Sequence, residues 1–363
     1  MSIDGKNNGL SRRSFIKSAA AGMGLVAAAS MPAMPSVLQA DTVKGPWKKQ
    51  EYTLVDAHLH YLDFIQGTDG FEQLVKKMDE AGVSHAVLFG MPMAKQWDEG
   101  APNKPTYYLS NDSRAYYFSA TDYMLMTDYM RQPDEIKSRF FPFAAGINPN
   151  DKFAAQHLRK VLEDFPGVFC GIGELMSRHD DLTALTYGEP PRANHPALLN
   201  VYDLAAEYSM PVLIHHNIAG SYMKEPIYLQ EMKEGLAHNR NTNIIWAHVG
   251  ISRRVEIPAL DVIADSMLSE NANLYFDISW VVYDDYINKN EQSLEIWAAL
   301  FEKHPGRFLI GSDKVGHWAT YPNEITKYHV FLKLLSEGTR QKVCVENILG
   351  LLDARREEMR KIA

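Results

Sequence analysis

The sequence predicts one α/β domain folded as a (β/α)8 TIM barrel, with insertions after the second and fourth strands. Three observations lead there. Short apolar runs rich in β-branched and aromatic residues alternate with longer segments of helical periodicity, the pattern of βαβ units around a parallel sheet. Eight such runs can be read, the number that closes a barrel. Several of them end in a histidine or a carboxylate, as expected where strand ends build a site on one face.

The strand candidates cover residues 52–56, 84–89, 140–146, 168–174, 211–215, 243–248, 273–277 and 307–313. Between them, helical periodicity covers residues 71–81, 152–164, 196–208, 225–238, 257–269, 291–303 and 324–335. Asn150-Asp151 punctuates one helix start, and His304-Pro305-Gly306 one helix end. A last stretch, residues 340–363, is expected to pack on the outside of the barrel. Two insertions, residues 90–131 and 176–194, leave the C-terminal ends of strands, where barrels build active sites. The first carries Trp97, Tyr107, Tyr108, Tyr116, Tyr117, Phe118 and Tyr123. These aromatics either line a substrate pocket or cover the barrel or a homo-oligomer surface.

The barrel is expected to span residues 41–363, because residues 1–40 read as an export signal. Arg12-Arg13 precede a mild apolar run over residues 19–29 and small residues ending at Leu38-Gln39-Ala40, which matches a twin-arginine signal cleaved near Ala40. The twin-arginine export machinery is then an expected partner, and the periplasm the expected location. The run is too short and too rich in small residues to serve as a stable membrane anchor. Of the 363 residues, 46% are hydrophobic and 23% charged, an ordinary globular balance. A net charge of -8 makes nucleic acid a poor partner. Only two cysteines occur, Cys170 and Cys344, so a disulfide framework is excluded as the main source of stability.

The chemistry is carried by the strand ends. The first candidate runs into Asp56-Ala57-His58-Leu59-His60, and residues two apart on a strand share a side, so His58 and His60 project together. The fourth ends in Glu174, the fifth in His215, the sixth in His248 and the eighth in Asp313. In a barrel these ends meet at one mouth. Imidazoles and carboxylates in this mixture suit a divalent metal: zinc first, with manganese or iron as alternatives, and one ion or a pair. Such an ion lowers the pKa of a bound water and polarises a carbonyl. Taken singly, each residue has a plainer reading: His58 and His60 as a structural pair, Glu174 as a helix cap, Asp313 as an N-cap. Their ordered recurrence argues for the metal.

Asp56-Ala57-His58-Leu59-His60, Pro211-Val212-Leu213-Ile214-His215, Trp246-Ala247-His248-Val249-Gly250 and Ile310-Gly311-Ser312-Asp313 resemble the strand motifs of the amidohydrolase superfamily, in its amidohydrolase-related (type 2) branch. Glu346-Asn347-Ile348-Leu349-Gly350-Leu351-Leu352 is similar to that branch's C-terminal signature. The resemblance implies that His58, His60 and Asp313 bind a first ion, with Asp313 also taking a proton from the attacking water. It implies that His215 binds the same or a second ion, and that His248 binds a second ion or orients the water. Glu174 departs from the carboxylated lysine of many two-metal relatives and resembles the TatD-type glutamate. Two ions are implied if it reaches both, one if it faces substrate.

Around these, Arg253 and Arg254 either grip a substrate carboxylate or start a solvated helix. Tyr283, Lys314, His317 and Trp318 are pocket candidates by position. His216, adjacent to His215, points the other way on a strand and is expected to pack. Asp56 is expected to tune His58 by hydrogen bonding. The leading expectation is a hydrolase that directs water at an amide, ester or lactone of a small molecule. The alternatives are a metal-dependent decarboxylase or hydratase of an aromatic or related acid, a TatD-like phosphodiesterase, and a metal-binding receptor without catalysis.

Overall fold

The computed structural model describes residues 53–96 and 113–362. The expected export signal, and Trp97, Tyr107 and Tyr108, lie outside the described residues. Strands β1 (Leu54–His60), β2 (Val83–Phe89), β3 (Phe140–Ala144), β4 (Gly171–Met176), β5 (Val212–His215), β6 (Ile244–Trp246), β7 (Leu274–Asp277) and β8 (Phe308–Leu309) each pair in parallel with the next. The ring closes because the segment carrying β8 continues to Lys314–Val315, which pairs in parallel with β1. Ala57 N–H donates to Ile310 O at 2.8 Å and Asp313 N–H to His58 O at 2.9 Å across the same seam. This is the predicted α/β TIM barrel.

Helices separate the strands, and the longer ones bury one stripe. α1 (Gly70–Ala81) buries Phe71, Leu74, Met78 and Ala81, the spacing of a single helical face, and stops at Gly82 in the left-handed region. The helix over Glu291–Lys303 begins as expected, capped by Asn290, whose side chain accepts from Ser293 N–H at 2.9 Å. The expected helix at residues 324–335 is instead broken into Tyr321–Thr326 and His329–Leu332. The first insertion folds back as an antiparallel pair, Met93–Lys95 with Ala115–Tyr117, followed by a helix over Thr121–Tyr129. Among the described residues no helix is long and apolar enough to cross a membrane. Cys170 and Cys344 are both buried and free.

Several strand boundaries differ from expectation, and three of the differences shape the functional end. β1 runs four residues further than read, to His60, because its later residues pair with both β2 and the returning β8 segment. β6 stops at Trp246, since His248 and Val249 turn with φ of 53° and 54°. Asp313, with φ of 47°, sits in a break between the two halves of β8. Non-glycine residues in the left-handed region are held there by their surroundings and gather at binding sites.

Candidate metal centre

His58 and His60 rise side by side from β1, with their Nε2 atoms 3.3 Å apart. Glu174 reaches in from β4, placing Oε2 3.5 Å from His58 Nε2 and 3.1 Å from His60 Nε2. Asp313 Oδ1 approaches the same two nitrogens at 3.2 and 3.3 Å. On the other side of Glu174, Oε1 lies 3.3 Å from His215 Nδ1 and 3.8 Å from His248 Nε2. Asp313 Oδ2 is 3.7 Å from His248 Nε2. All six predicted ligands are therefore gathered at one mouth.

Two glycines make this approach feasible. A Cβ on Gly173, whose φ is +128°, would stand 2.2 Å from Leu213 O, so the chain beside Glu174 can lie this close to β5 only without one. A Cβ on Gly311 would meet His58 Cβ at 2.5 Å and Asp277 Oδ1 at 2.9 Å.

The outward ring nitrogens decide what the inward ones present. His58 Nδ1 lies 2.9 Å from Asp277 Oδ2, His60 Nδ1 3.4 Å from Gly90 O, and His248 Nδ1 3.1 Å from Ser279 O. His215 turns the opposite nitrogen outward: its Nε2 lies 3.0 Å from Asn217 Oδ1. Each of these partners is an oxygen acceptor, so each outer nitrogen carries the proton and donates it. The inner nitrogens, Nε2 of His58, His60 and His248 and Nδ1 of His215, are then left with lone pairs. Those lone pairs face carboxylate oxygens that also carry lone pairs, and Glu174 Oε1 is buried with no hydrogen-bond partner among the described residues. Lone pairs crowded in this way repel unless a cation lies among them. Three ligand triads, His58/His60/Asp313, His58/His248/Asp277 and Glu174/His215/His248, each have donor atoms within 4.8 Å of one another. The residues fit a divalent ion.

The electrostatics agree. Burial opposes the charge on Glu174, but His58, with the close approach of the His215, His58 and His60 rings, pulls its pKa well below the usual carboxylate range. Asp313 is likewise lowered, against burial, chiefly by His58. Burial also opposes a charge on the His58 ring, yet Glu174, Asp313 and Asp277 together raise its pKa well above the ordinary value. Without an ion the cluster draws protons to the same place.

Several participants were not singled out in the sequence. Asp277 is the last residue of β7, at the same end of the barrel as the predicted ligands. Its Oδ2 holds His58 and also accepts from the Ser279 hydroxyl at 2.6 Å; Ser279 Oγ lies 3.0 Å from His248 Nδ1. One carboxylate and one hydroxyl thus orient two imidazoles. His179, from the second insertion, stacks on His215 with ring centroids 4.3 Å apart. A cavity of about 50 Å³ opens beside the ligands and is lined also by His179, Arg253, Trp280, Phe64, Met176 and Leu182.

The remaining candidates divide. Arg253 lines the cavity, its guanidinium 5.0 Å from the Trp280 ring centroid. Arg254 is paired with Asp181 at 2.6 Å. Tyr283, His317 and Trp318, expected at the pocket, are not among its lining. Tyr283 is buried against Tyr328 and donates to Lys327 O at 2.9 Å. His317 is clasped between Asp63 and Asp69, at 3.0 and 2.8 Å. Trp318 is buried and donates its indole N–H to Gly70 O at 3.0 Å. Position after a strand end placed them on the right loop, but each side chain turns outward into local packing. Lys314 extends to Thr320 Oγ1 at 2.8 Å. His216 packs as expected, between the Ser177 hydroxyl and Tyr228 O. Asp56 acts on the backbone rather than the ring: its Oδ1 accepts from the N–H groups of His58 and Ser312, tying β1 to β8.

Solved structures share this architecture. An uncharacterised TIM-barrel protein from Bordetella bronchiseptica superposes with a TM-score of 0.53 at 13% identity, covering 84% of this chain and 99% of its own. A 2,6-dihydroxybenzoate decarboxylase from Rhizobium gives 0.51 at 15% identity, covering 83% and 99%. A Staphylococcus aureus protein assigned as an amidohydrolase gives 0.51 at 13%, covering 83% and 99%. The likeness is one of fold. No family model and no curated relative matches the sequence.

Proposed function

We propose that this chain is a metal-dependent hydrolase that directs water at the carbonyl of an amide, ester or lactone of a small molecule. The observation that carries the reading is the set of inward lone pairs on His58, His60, His215 and His248 around Glu174 and Asp313, beside a cavity. Those six residues would hold the ion, or a pair of ions with Glu174 between them. When bound, a divalent cation, zinc being the best match to the donors, acidifies water and polarises a carbonyl. Asp313 lines the cavity, and its carboxylate would accept the proton of the attacking water. With a single ion held by the other residues, His248, neutral because burial lowers its pKa, would instead orient that water. Arg253 would face an anionic group or developing negative charge on the substrate.

A second reading, decarboxylation of an aromatic acid, is favoured by Arg253 lying against Trp280 in the cavity, a cation and a flat ring presented together. The named decarboxylase among the structural neighbours is of the same fold. Turnover in ¹⁸O-labelled water separates the two. The hydrolase reading expects one labelled oxygen in the acid product; release of carbon dioxide with no label incorporated would replace it with the second reading. The paired arginines at positions 12 and 13 support export to the periplasm. Retention of an Arg12→Lys, Arg13→Lys protein in the cytoplasm is the expected result, and continued export would refute it.

A further inference from the structure

Phe64, on the loop after β1, and Val315, on the segment after Asp313, both line the cavity beside the ligands. Val315 is fixed by strand pairing with His60. Phe64 depends on how its loop is held. Gln66 Nε2 ties that loop to Met91 O at 3.0 Å, and Asp69 N–H donates to Gly316 O at 2.8 Å. The His317 ring adds a side-chain tie from the β8 segment, because it lies between two carboxylates of the β1 loop. Its Nε2 is 3.0 Å from Asp63 Oδ2 and its Nδ1 is 2.8 Å from Asp69 Oδ1. Both carboxylates are anchored from behind. Asp63 Oδ1 accepts from Ile65 N–H at 2.9 Å and from Gly67 N–H at 2.7 Å, and Asp69 Oδ2 accepts from Trp318 N–H at 3.0 Å. Phe64 O accepts from Lys95 N–H at 2.8 Å, so the hairpin of the first insertion hangs from the same loop.

A neutral imidazole has one N–H, so it would donate to one of these carboxylates and turn a lone pair on the other. Only the imidazolium satisfies both. We propose that His317 is a positioning residue that, as an imidazolium, clasps the β1 loop to the β8 segment and so sets where the Phe64 wall stands relative to Val315. Loss of its proton then releases one arm. Asp63 and Asp69 face the ring from the β1 loop; on its own segment Lys314 acts on Asp69 from a distance and is turned to Thr320 Oγ1 at 2.8 Å. The hydrogen bond to Asp69 raises the His317 pKa above its ordinary 6.5, against partial burial, and Asp63 adds to the rise. The clasp is therefore complete below about pH 6.5 and is lost as pH climbs through the raised value. The His317 side chain is 56% exposed, so the released arm weighs little in global stability and shows in local opening instead. This clasp is independent of which reaction the site performs.

The purified full-length protein is followed in two ways, with metal content matched between samples. The His317 ring is titrated by NMR on protein with isotope-labelled histidine, its signal identified by loss in His317→Gln. A midpoint above 6.5 is expected, and a lower one in Asp69→Asn. Amide hydrogen exchange over residues 61–69 and 314–318, corrected for its intrinsic pH dependence, is then compared on either side of that midpoint. Exchange over residues 61–69 is expected to quicken roughly threefold above it, to be quick at both pH values in His317→Gln, and slow at both in His317→Arg, whose guanidinium keeps its charge and its paired donors. Residues 140–144 and 212–215, in β3 and β5, are expected to be unaffected. A midpoint at or below 6.5 that Asp69→Asn leaves unmoved overturns the clasp. So does loop exchange that is the same in wild type and His317→Gln below the midpoint, or a pH response shared by wild type and His317→Arg. Quickened exchange in β3 and β5 as well would make His317 a prop of the whole barrel and overturn the positioning role.

Discussion

Asp277→Asn isolates the outward hydrogen bonds as the cause of the cluster's metal preference. In the native chain Asp277 Oδ1 accepts from Ser279 N–H at 2.9 Å, and Oδ2 accepts from the His58 ring at 2.9 Å and from the Ser279 hydroxyl at 2.6 Å. An asparagine offers one acceptor where there were two. If its oxygen keeps the Ser279 N–H, its NH2 faces His58 Nδ1 and favours the tautomer whose proton sits on Nε2, aimed at the other ligands. If it flips, NH2 meets N–H. The first outcome opposes a lone pair at His58 Nε2, and the second keeps it only with a donor facing the Ser279 N–H donor. Loss of such an outer partner typically costs 10–100-fold in metal affinity, equivalent to roughly 1.4–2.8 kcal/mol. Zinc affinity measured against a competing chelator, on wild type and Asp277→Asn at matched pH, reads this directly. Ser279→Ala should weaken binding less, since His248 Nδ1 retains the Ser279 carbonyl at 3.1 Å. Zinc affinity in Asp277→Asn equal to that of the wild type would refute the tautomer argument.

Asp313→Asn is expected to fold and to lose turnover by roughly 10²–10⁴-fold, because the proton acceptor is removed; activity within a few-fold of wild type would remove Asp313 from that role. Gly311→Ala forces a Cβ to within 2.5 Å of His58 Cβ, so overpacking should lower stability by about 1–3 kcal/mol and zinc content with it; denaturant unfolding that matches wild type would contradict this. The metal-free protein should be pH-sensitive in a defined direction. For His58 and His60 burial opposes the charge, but the neighbouring carboxylates raise both pKa values above 6.5, so their contribution is complete below about pH 6.5 and is lost as pH rises through the raised values. Glu174 and Asp313 are lowered, and their contributions are complete and constant over that range. Chelated protein should therefore melt at falling temperatures as pH increases above about 6.5, and zinc should abolish the trend. A melting temperature that climbs with pH in the chelated protein would count against the coupling.

Much of the barrel was legible because its signals are local. A stripe such as Phe71, Leu74 and Met78, or an apolar run such as residues 83–89, is written into consecutive residues. The candidate ligands could be picked out for a related reason: each lies near the C-terminal end of a strand, and barrel geometry gathers those ends whatever their separation along the chain. What stayed hidden depends on direction. His317 and Trp318 follow Asp313 closely, yet the turn at Gly316 sends them toward Asp63, Asp69 and Gly70. Asp277 carried the same strand-end signal as the ligands and was readable in principle. His179 and Trp280 were not, because they lie on irregular segments whose path is set by long-range hydrogen bonds such as Ser252 to Asp180.

Elemental analysis of the purified full-length protein, followed by X-ray absorption at the edge of whatever metal is found, addresses the cluster itself. One or two divalent ions per chain are expected, bound by imidazole nitrogens at about 2.0–2.1 Å together with carboxylate oxygens, with occupancy falling in Glu174→Ala. A protein that carries no metal, takes none up after dialysis against zinc, and melts identically with and without chelator would mean that the inward lone pairs are met by protons alone.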